Sequence, residues 1–259
     1  MSTLAGRHGA AQNRHKSIEA LLKEYAGETD AKALMRRLAR EKVAYAKSHR
    51  WAGPPFCPKV FAGIFGIRCK EVTHEIDGDG RILLYPDGSI WIEYRTERVA
   101  ERQRFTMFHE FAHTLFPDFC KFLPHHSSGK PKDPEKEFEN LCDIAASEML
   151  LPLENVNEDL ARIPRVCLEE ITRLSSRYAA SIDATTLRLV ELLVNLPCVA
   201  VFLTDEKGSR SGHGPLWTKY SMENPGHGSC RQRSYRMSPT VQIIPRLSRC
   251  CFLLLTSSR

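Results

Sequence analysis

No apolar run of eighteen or more residues occurs in this chain of 259, so nothing in it reads as a helix able to cross a bilayer. The first residues, M-S-T-L-A-G-R-H-G-A-A-Q-N-R-H-K, lack the apolar core of a secretory signal, and a cytoplasmic protein is the expectation. A cysteine framework is missing as well. The nine cysteines are odd in number and scattered, with no C-x-x-C and one adjacent pair, Cys250-Cys251. That spacing describes reduced thiols, not a secreted disulfide scaffold or a cysteine-built metal site. Acidic residues run out before the end: none follows Glu223, whereas Arg231, Arg233, Arg236, Arg246, Arg249 and Arg259 do. This surplus equals the whole net charge of +6, so the basic balance belongs to the tail and direct nucleic-acid binding is not expected of the folded body. With 42% hydrophobic and 26% charged residues, the rest has the composition of a soluble protein with a packed core.

The most informative stretch that is present is His109-Glu110-Phe111-Ala112-His113. On a helix, residues four apart lie one above the other, so His109 and His113 can point two nitrogens at one ion with Glu110 at the edge of that site. H-E-x-x-H on a helix is the pattern of zinc peptidases, the two His as ligands and the Glu as general base. The surroundings predict the helix. From Glu101 to Phe116 there is no Gly or Pro, and Phe105, Phe108, Phe111, Ala112 and Leu115 recur at intervals of three and four until Pro117. Without a metal the same five residues are two surface imidazoles, so a third ligand decides the matter.

Asp133-Pro134 marks a second helix start, with Asp as N-cap and Pro at the first helical position. Phe138, Leu141, Cys142, Ala145 and Met149 form its apolar stripe up to Pro152. Glu139 and Asp143 are four apart and flank that stripe on one side. Glu139 is the candidate third zinc ligand, and Asp143 can accept the outer N–H of a ligand histidine, as metal-bound imidazoles usually require. Cys142 reads as core. The competing account of Glu139 is a solvated carboxylate like Glu135, Glu137 and Glu148 nearby.

Together, E-R-Q-R-F-T-M-F-H-E-F-A-H-T-L-F-P from Glu101 and E-N-L-C-D-I-A-A-S-E-M-L-L-P from Glu139 resemble the ImmA/IrrE metallo-endopeptidases. The segments G-D-G-R-I-L-L-Y-P-D-G and S-I-D-A-T-T-L-R-L-V are similar too, so the resemblance runs from Pro54 to Pro225. It implies a zincin-like α+β catalytic unit, a small sheet with the H-E-x-x-H helix and the third-ligand helix, plus extra helices. It also implies Zn2+ held by His109, His113 and Glu139, Glu110 as catalytic base, and Asp143 behind a ligand. The implied substrate is a helix-turn-helix repressor whose cleavage switches on a stress or mobile-element response. Asp143 departs from the Asn of many members, but either side chain can accept the hydrogen bond. For the oxyanion, His125, His126, Tyr94 and Tyr178 are all open candidates.

Four segments are expected: a helical segment 1–50, a catalytic domain 51–165, a helical pair with short strands 166–223, and a basic, disordered tail 224–259. Residues 1–15 read as mobile. Between Ser17 and His49 two helices are broken at Gly27-Glu28-Thr29-Asp30, with Arg36, Arg37 and Arg40 on a solvated face. Val60–Ile67 reads as a short helix. Strands 81–85 and 89–94 join through Pro86-Asp87-Gly88 into a hairpin, either a purely structural sheet or an edge offered to an extended peptide. Helices follow at 153–163, 168–178 and from Ser181, then strands at 198–203 and 216–221. Two rival functions stay open: a catalytically silent zinc-binding scaffold, and a DNA-binding regulator using residues 166–193, where Thr185, Thr186 and Arg188 would have to read bases.

Overall fold

The structure, a computed structural model, describes residues 14–120, 133–163, 168–192, 198–205, 216–223, 236–237 and 251–257. Residues 1–13, His125, His126 and most of the basic tail lie outside the described residues. The chain divides into two compact units, Met1–Ala52 with Cys57–Leu150, and Gly53–Phe56 with Leu151–Arg259.

The first unit opens with helices α1 (Lys16–Glu24) and α2 (Ala31–Ser48). Gly27 turns the chain between them at φ +109°, a conformation that glycine adopts without strain. Asp30 then caps α2, its carboxylate accepting the N–H groups of Lys32 and Ala33 at 2.8 and 3.2 Å. Two arginines of α2 are tied into ion pairs: Arg37 with Glu28 and Glu41, Arg40 with Glu148. Helix α3 (Pro58–Ile64) ends at Gly66, φ +75°, and delivers the chain into strand β1 (Ile67–Val72).

Strand β1 has no counterpart in the sequence reading, which extended the helix to Ile67. Its interior, Arg68 to Glu71, is exposed or half-buried, and only the end residues Ile67 and Val72 are buried, so no alternation announces it. The expected hairpin is present as β2 (Gly80–Leu84) and β3 (Ile90–Arg95). Its turn is fixed by the Asp87 carboxylate, which accepts both the N–H and the hydroxyl of Ser89. The sheet order is β1-β3-β2, with β1 parallel and β2 antiparallel to β3, so β2 is an edge. Ile67, Ile82, Ile92 and Tyr94 make its buried side.

Helix α4 (Ala100–Ala112) lies against β2 and β3, and α5 (Asp133–Leu150) lies against both α4 and α2. Phe108 and Phe111 of α4 meet Phe61 with ring centroids 5.5 and 4.8 Å apart, and Trp51 completes the cluster at 4.8 Å from Phe61. This aromatic core anchors the helix that carries the histidines. The expected apolar stripe understates the burial of α4: Thr106, Met107 and Glu110 are buried as well, whereas Phe105 is half-buried. The α-helix also ends earlier than Phe116. His113–Leu115 form a tight 3-10 turn, but His113 keeps right-handed helical angles, φ −57° and ψ −30°. The vertical stacking of the two histidines therefore survives. On α5, Phe138, Leu141, Cys142, Ala145 and Met149 are all buried, as their spacing predicts.

The second unit holds α6 (Leu153–Leu160), α7 (Leu168–Tyr178) and α8 (Ile182–Leu192). Asp159 accepts from the Tyr178 hydroxyl at 2.8 Å and from Arg177 at 3.0 Å, joining α6 to α7. A four-stranded sheet follows in the order β6-β5-β4-β7, from β4 (Cys198–Asp205), β5 (Leu216–Glu223), β6 (Arg236–Met237) and β7 (Cys251–Ser257). β4 and β5 pair antiparallel, and β7 runs parallel to β4. The α7–α8 pair does not fit the DNA-reading alternative. Thr185, Thr186 and Arg188 are 1%, 0% and 1% exposed, and Arg188 donates through Nε to the Leu151 carbonyl at 3.1 Å. Side chains enclosed in this way cannot reach base edges.

Candidate metal centre

The two imidazoles lie one turn apart on the same face, as their spacing requires, and meet edge to face with ring centroids 5.2 Å apart and planes at 78°. Helix α5 brings Glu139 to them. One nitrogen of His109, one of His113 and one carboxylate oxygen of Glu139 lie within 4.8 Å of one another. Among the described residues this is the cluster of His, Cys, Asp and Glu able to hold an ion. Glu139 Oε2 is 2.9 Å from His109 Nε2 and 4.0 Å from His113 Nε2. Tetrahedral donors at ordinary metal distances of roughly 2.1 Å would be about 3.4 Å apart, so the observed separations straddle what an ion needs. The fit concerns donor chemistry too: two imidazoles and one carboxylate leave a fourth position open.

The outer nitrogens are engaged on the other side. His109 Nδ1 faces Asp143 Oδ1 at 2.8 Å, so Glu139 and Asp143, one turn apart on α5, hold the same ring at its two nitrogens. His113 is 2% exposed, and its Nδ1 lies 3.5 Å from the thiol sulfur of fully buried Cys142. Burial alone would favour neutral His109. The hydrogen bonds to Asp143 and Glu139, with the charge of Glu110, overcome it and raise its pKa to about 10. The protonated ring donates to Asp143 through Nδ1 and to Glu139 through Nε2.

Glu110 is 3% exposed. Burial, together with the neighbouring Glu139 charge, pushes its carboxyl up to about 7, against the opposing pull of His109 and of a hydrogen bond from the Ile82 N–H. Among the described residues its Oε2 has no hydrogen-bond partner. An enclosed carboxylate oxygen left in this state costs stability, and such costs concentrate where chemistry is done. Gly80 on β2 explains how the sheet edge comes so close. A Cβ there would stand 2.4 Å from Thr106 Cγ2 and 3.3 Å from Glu110 Cγ.

The structure thus brings His109, Glu110, His113, Glu139 and Asp143 into one place. Among the open oxyanion candidates, Tyr94 and Tyr178 are committed elsewhere, Tyr94 donating to Glu71 at 2.6 Å and Tyr178 to Asp159. Three participants were not recognised in the sequence. Cys142 reads as core there, although its i+3 spacing from Glu139 places it on the site face. Gly80 and the Ile82 N–H belong to the edge of the hairpin, whose distance from α4 no local pattern encodes. At the rim, His15 at the N-cap of α1 stacks on Phe138 at 4.4 Å, and Phe138 lies 5.3 Å from the His113 ring.

The Peptidase_M78 family, described as the IrrE N-terminal-like domain, matches residues 68–190. This match, over a little under half of the chain, supports the resemblance to the ImmA/IrrE family. Among solved structures, a Mycobacterium tuberculosis transcriptional regulator is similar at 14% identity over 67% of this chain and 51% of that one, with a TM-score of 0.40. The chain thus spans about half the length of that structure. No curated protein matches the sequence.

Proposed function

We propose that the protein is a zinc-dependent endopeptidase acting in the cytoplasm on a helix-turn-helix transcriptional repressor. The observation that carries the reading is the convergence of His109, His113 and Glu139 beside a buried Glu110 whose pKa is raised to about 7. Zinc held by those three residues would supply a Lewis acid that acidifies a water and polarises a peptide carbonyl. Glu110, once ionised, is the proton acceptor for that water and the donor to the leaving amine. Asp143 orients His109 and sets which of its nitrogens is free for the ion. The β2 edge, whose Ile82 N–H reaches Glu110, suits a substrate laid down as an added strand, its backbone aligned with the base.

The substrate class rests on the family resemblance, and a DNA-bound substrate with free thiols in the enzyme fits the cytoplasm. The alternative of a silent zinc-binding scaffold is separated by one substitution. Glu110→Gln leaves metal stoichiometry at one ion per chain and abolishes cleavage of a repressor co-expressed from the same gene neighbourhood. Repressor loss that persists in Glu110→Gln would overturn the assignment. Intact repressor with both the parent and the variant, at full metal loading, would favour the scaffold.

A further inference from the structure

His109 and His113 are backed by different chemistry. Behind His109 stands the half-exposed carboxylate of Asp143, 2.8 Å from Nδ1; behind His113 stands the thiol of Cys142, 3.5 Å from Nδ1, with both residues buried. Cys142 is three residues beyond Glu139 on α5, so one turn of one helix supplies a donor facing the ion and both groups behind the imidazoles. We propose that Cys142 is a positioning residue of the metal centre. Its sulfur accepts the Nδ1–H of His113, fixes the tautomer that leaves Nε2 available, and locks the ring against rotation. The inference rests on the metallopeptidase reading and adds to it a residue that sequence pattern assigns to the core.

The physical argument is one of choice among few partners. An imidazole that gives Nε2 to a metal carries its proton on Nδ1, and a buried N–H needs an acceptor. Among the described residues, Cys142 Sγ on α5 is an acceptor within reach of that nitrogen, at 3.5 Å. Sulfur accepts weakly, but in an enclosed site a weak acceptor is worth keeping. The ring is held by packing as well, with Phe138 at 5.3 Å. Cys142 therefore contributes orientation and basicity, while packing contributes shape.

The test uses the full-length protein stripped of metal and titrated with Co2+, read by visible absorption, and with Zn2+ against a chromophoric chelator. Cys142→Ala should weaken binding by roughly 3- to 10-fold, the low end of what outer partners of metal ligands contribute because the acceptor is sulfur. The cobalt band should shift as His113 reorients. Cys142→Ser, which keeps an acceptor, should recover most of the affinity. In the zinc-loaded parent, labelled at histidine nitrogens, His113 should show a protected Nδ1–H that Cys142→Ala loses. Equal affinity and an unchanged cobalt spectrum in Cys142→Ala would overturn the proposal while leaving the peptidase reading intact. So would a His113 proton on Nε2, a measurement on the parent protein that needs no variant. Failure of the parent itself to bind either ion would overturn both.

Discussion

Replacing Gly80 by Ala is a small change with a calculable consequence. The new Cβ would lie 2.4 Å from Thr106 Cγ2, 3.1 Å from the Glu93 carbonyl oxygen and 3.3 Å from Glu110 Cγ. Carbon atoms in ordinary contact are about 3.5–4.0 Å apart, so more than roughly 1 Å of clearance must be found. Thr106 cannot turn away cheaply, because it is β-branched, helical and 5% exposed. Either β2 lifts from α4 or α4 shifts, and overpacking of this kind costs about 1–3 kcal/mol. Glu110 is one turn beyond Thr106, so the same movement displaces the base, and a misplacement of about 1 Å costs on the order of 100-fold in rate. Urea unfolding of the metal-free protein measures the first effect and repressor cleavage the second. Thr106→Ser removes only Cγ2, so the double variant should recover part of both losses, the Glu93 and Glu110 contacts keeping recovery incomplete. Stability within about 0.5 kcal/mol of the parent and undiminished cleavage would refute the claim that the sheet edge is seated on α4 at the base.

Metal uptake should release protons. With His109 raised to about 10 in the metal-free site, binding near pH 7.5 displaces about one proton from it, and affinity should rise roughly tenfold per pH unit up to 10. Calorimetry in buffers of different ionisation enthalpy reads this directly, and proton-independent binding would contradict it. Because the folded value lies above the usual 6.5, protonated His109 stabilises the metal-free fold fully below about 6.5, and this contribution is lost as pH rises through 10. Urea midpoints of the metal-free protein should accordingly fall between those pH values. Arg40→Ala should cost about 1–3 kcal/mol in urea unfolding, since it removes a cation 3.1 Å from the fully buried Glu148 carboxylate, with water entry limiting the loss. A change under about 0.5 kcal/mol would show that Glu148 is satisfied without it.

What the chain discloses of itself depends on the range of the interaction. The α4 motif, the Asp133 start and the Glu139/Asp143 spacing are local periodicities, and the structure follows them. The hairpin is equally local, since Pro86-Asp87-Gly88 carries its own turn chemistry. Strand β1 escapes notice because its interior residues are exposed or half-buried, and its place is set by pairing with β3, a partner twenty-three residues on. Glu148 reads as a solvated acid, yet it is fully buried, because its cation stands on α2, more than a hundred residues earlier. Thr185, Thr186 and Arg188 mislead in the opposite direction: polar side chains suggest a reading surface, and packing encloses them. Gly80 belongs to the site only through an approach between elements, which periodicity along a single strand does not encode, whereas Cys142 carries a local signal in its i+3 spacing from Glu139 that its place on the apolar stripe conceals.

The central claim is that one ion is held between α4 and α5. Anomalous scattering from crystals of the zinc-loaded protein, collected on both sides of the zinc edge, tests it most directly. A single peak should appear in contact with His109, His113 and Glu139, at roughly 2.0–2.2 Å from each donor atom. A peak elsewhere, or none in fully loaded protein with Glu139 still hydrogen-bonded to His109, would contradict it.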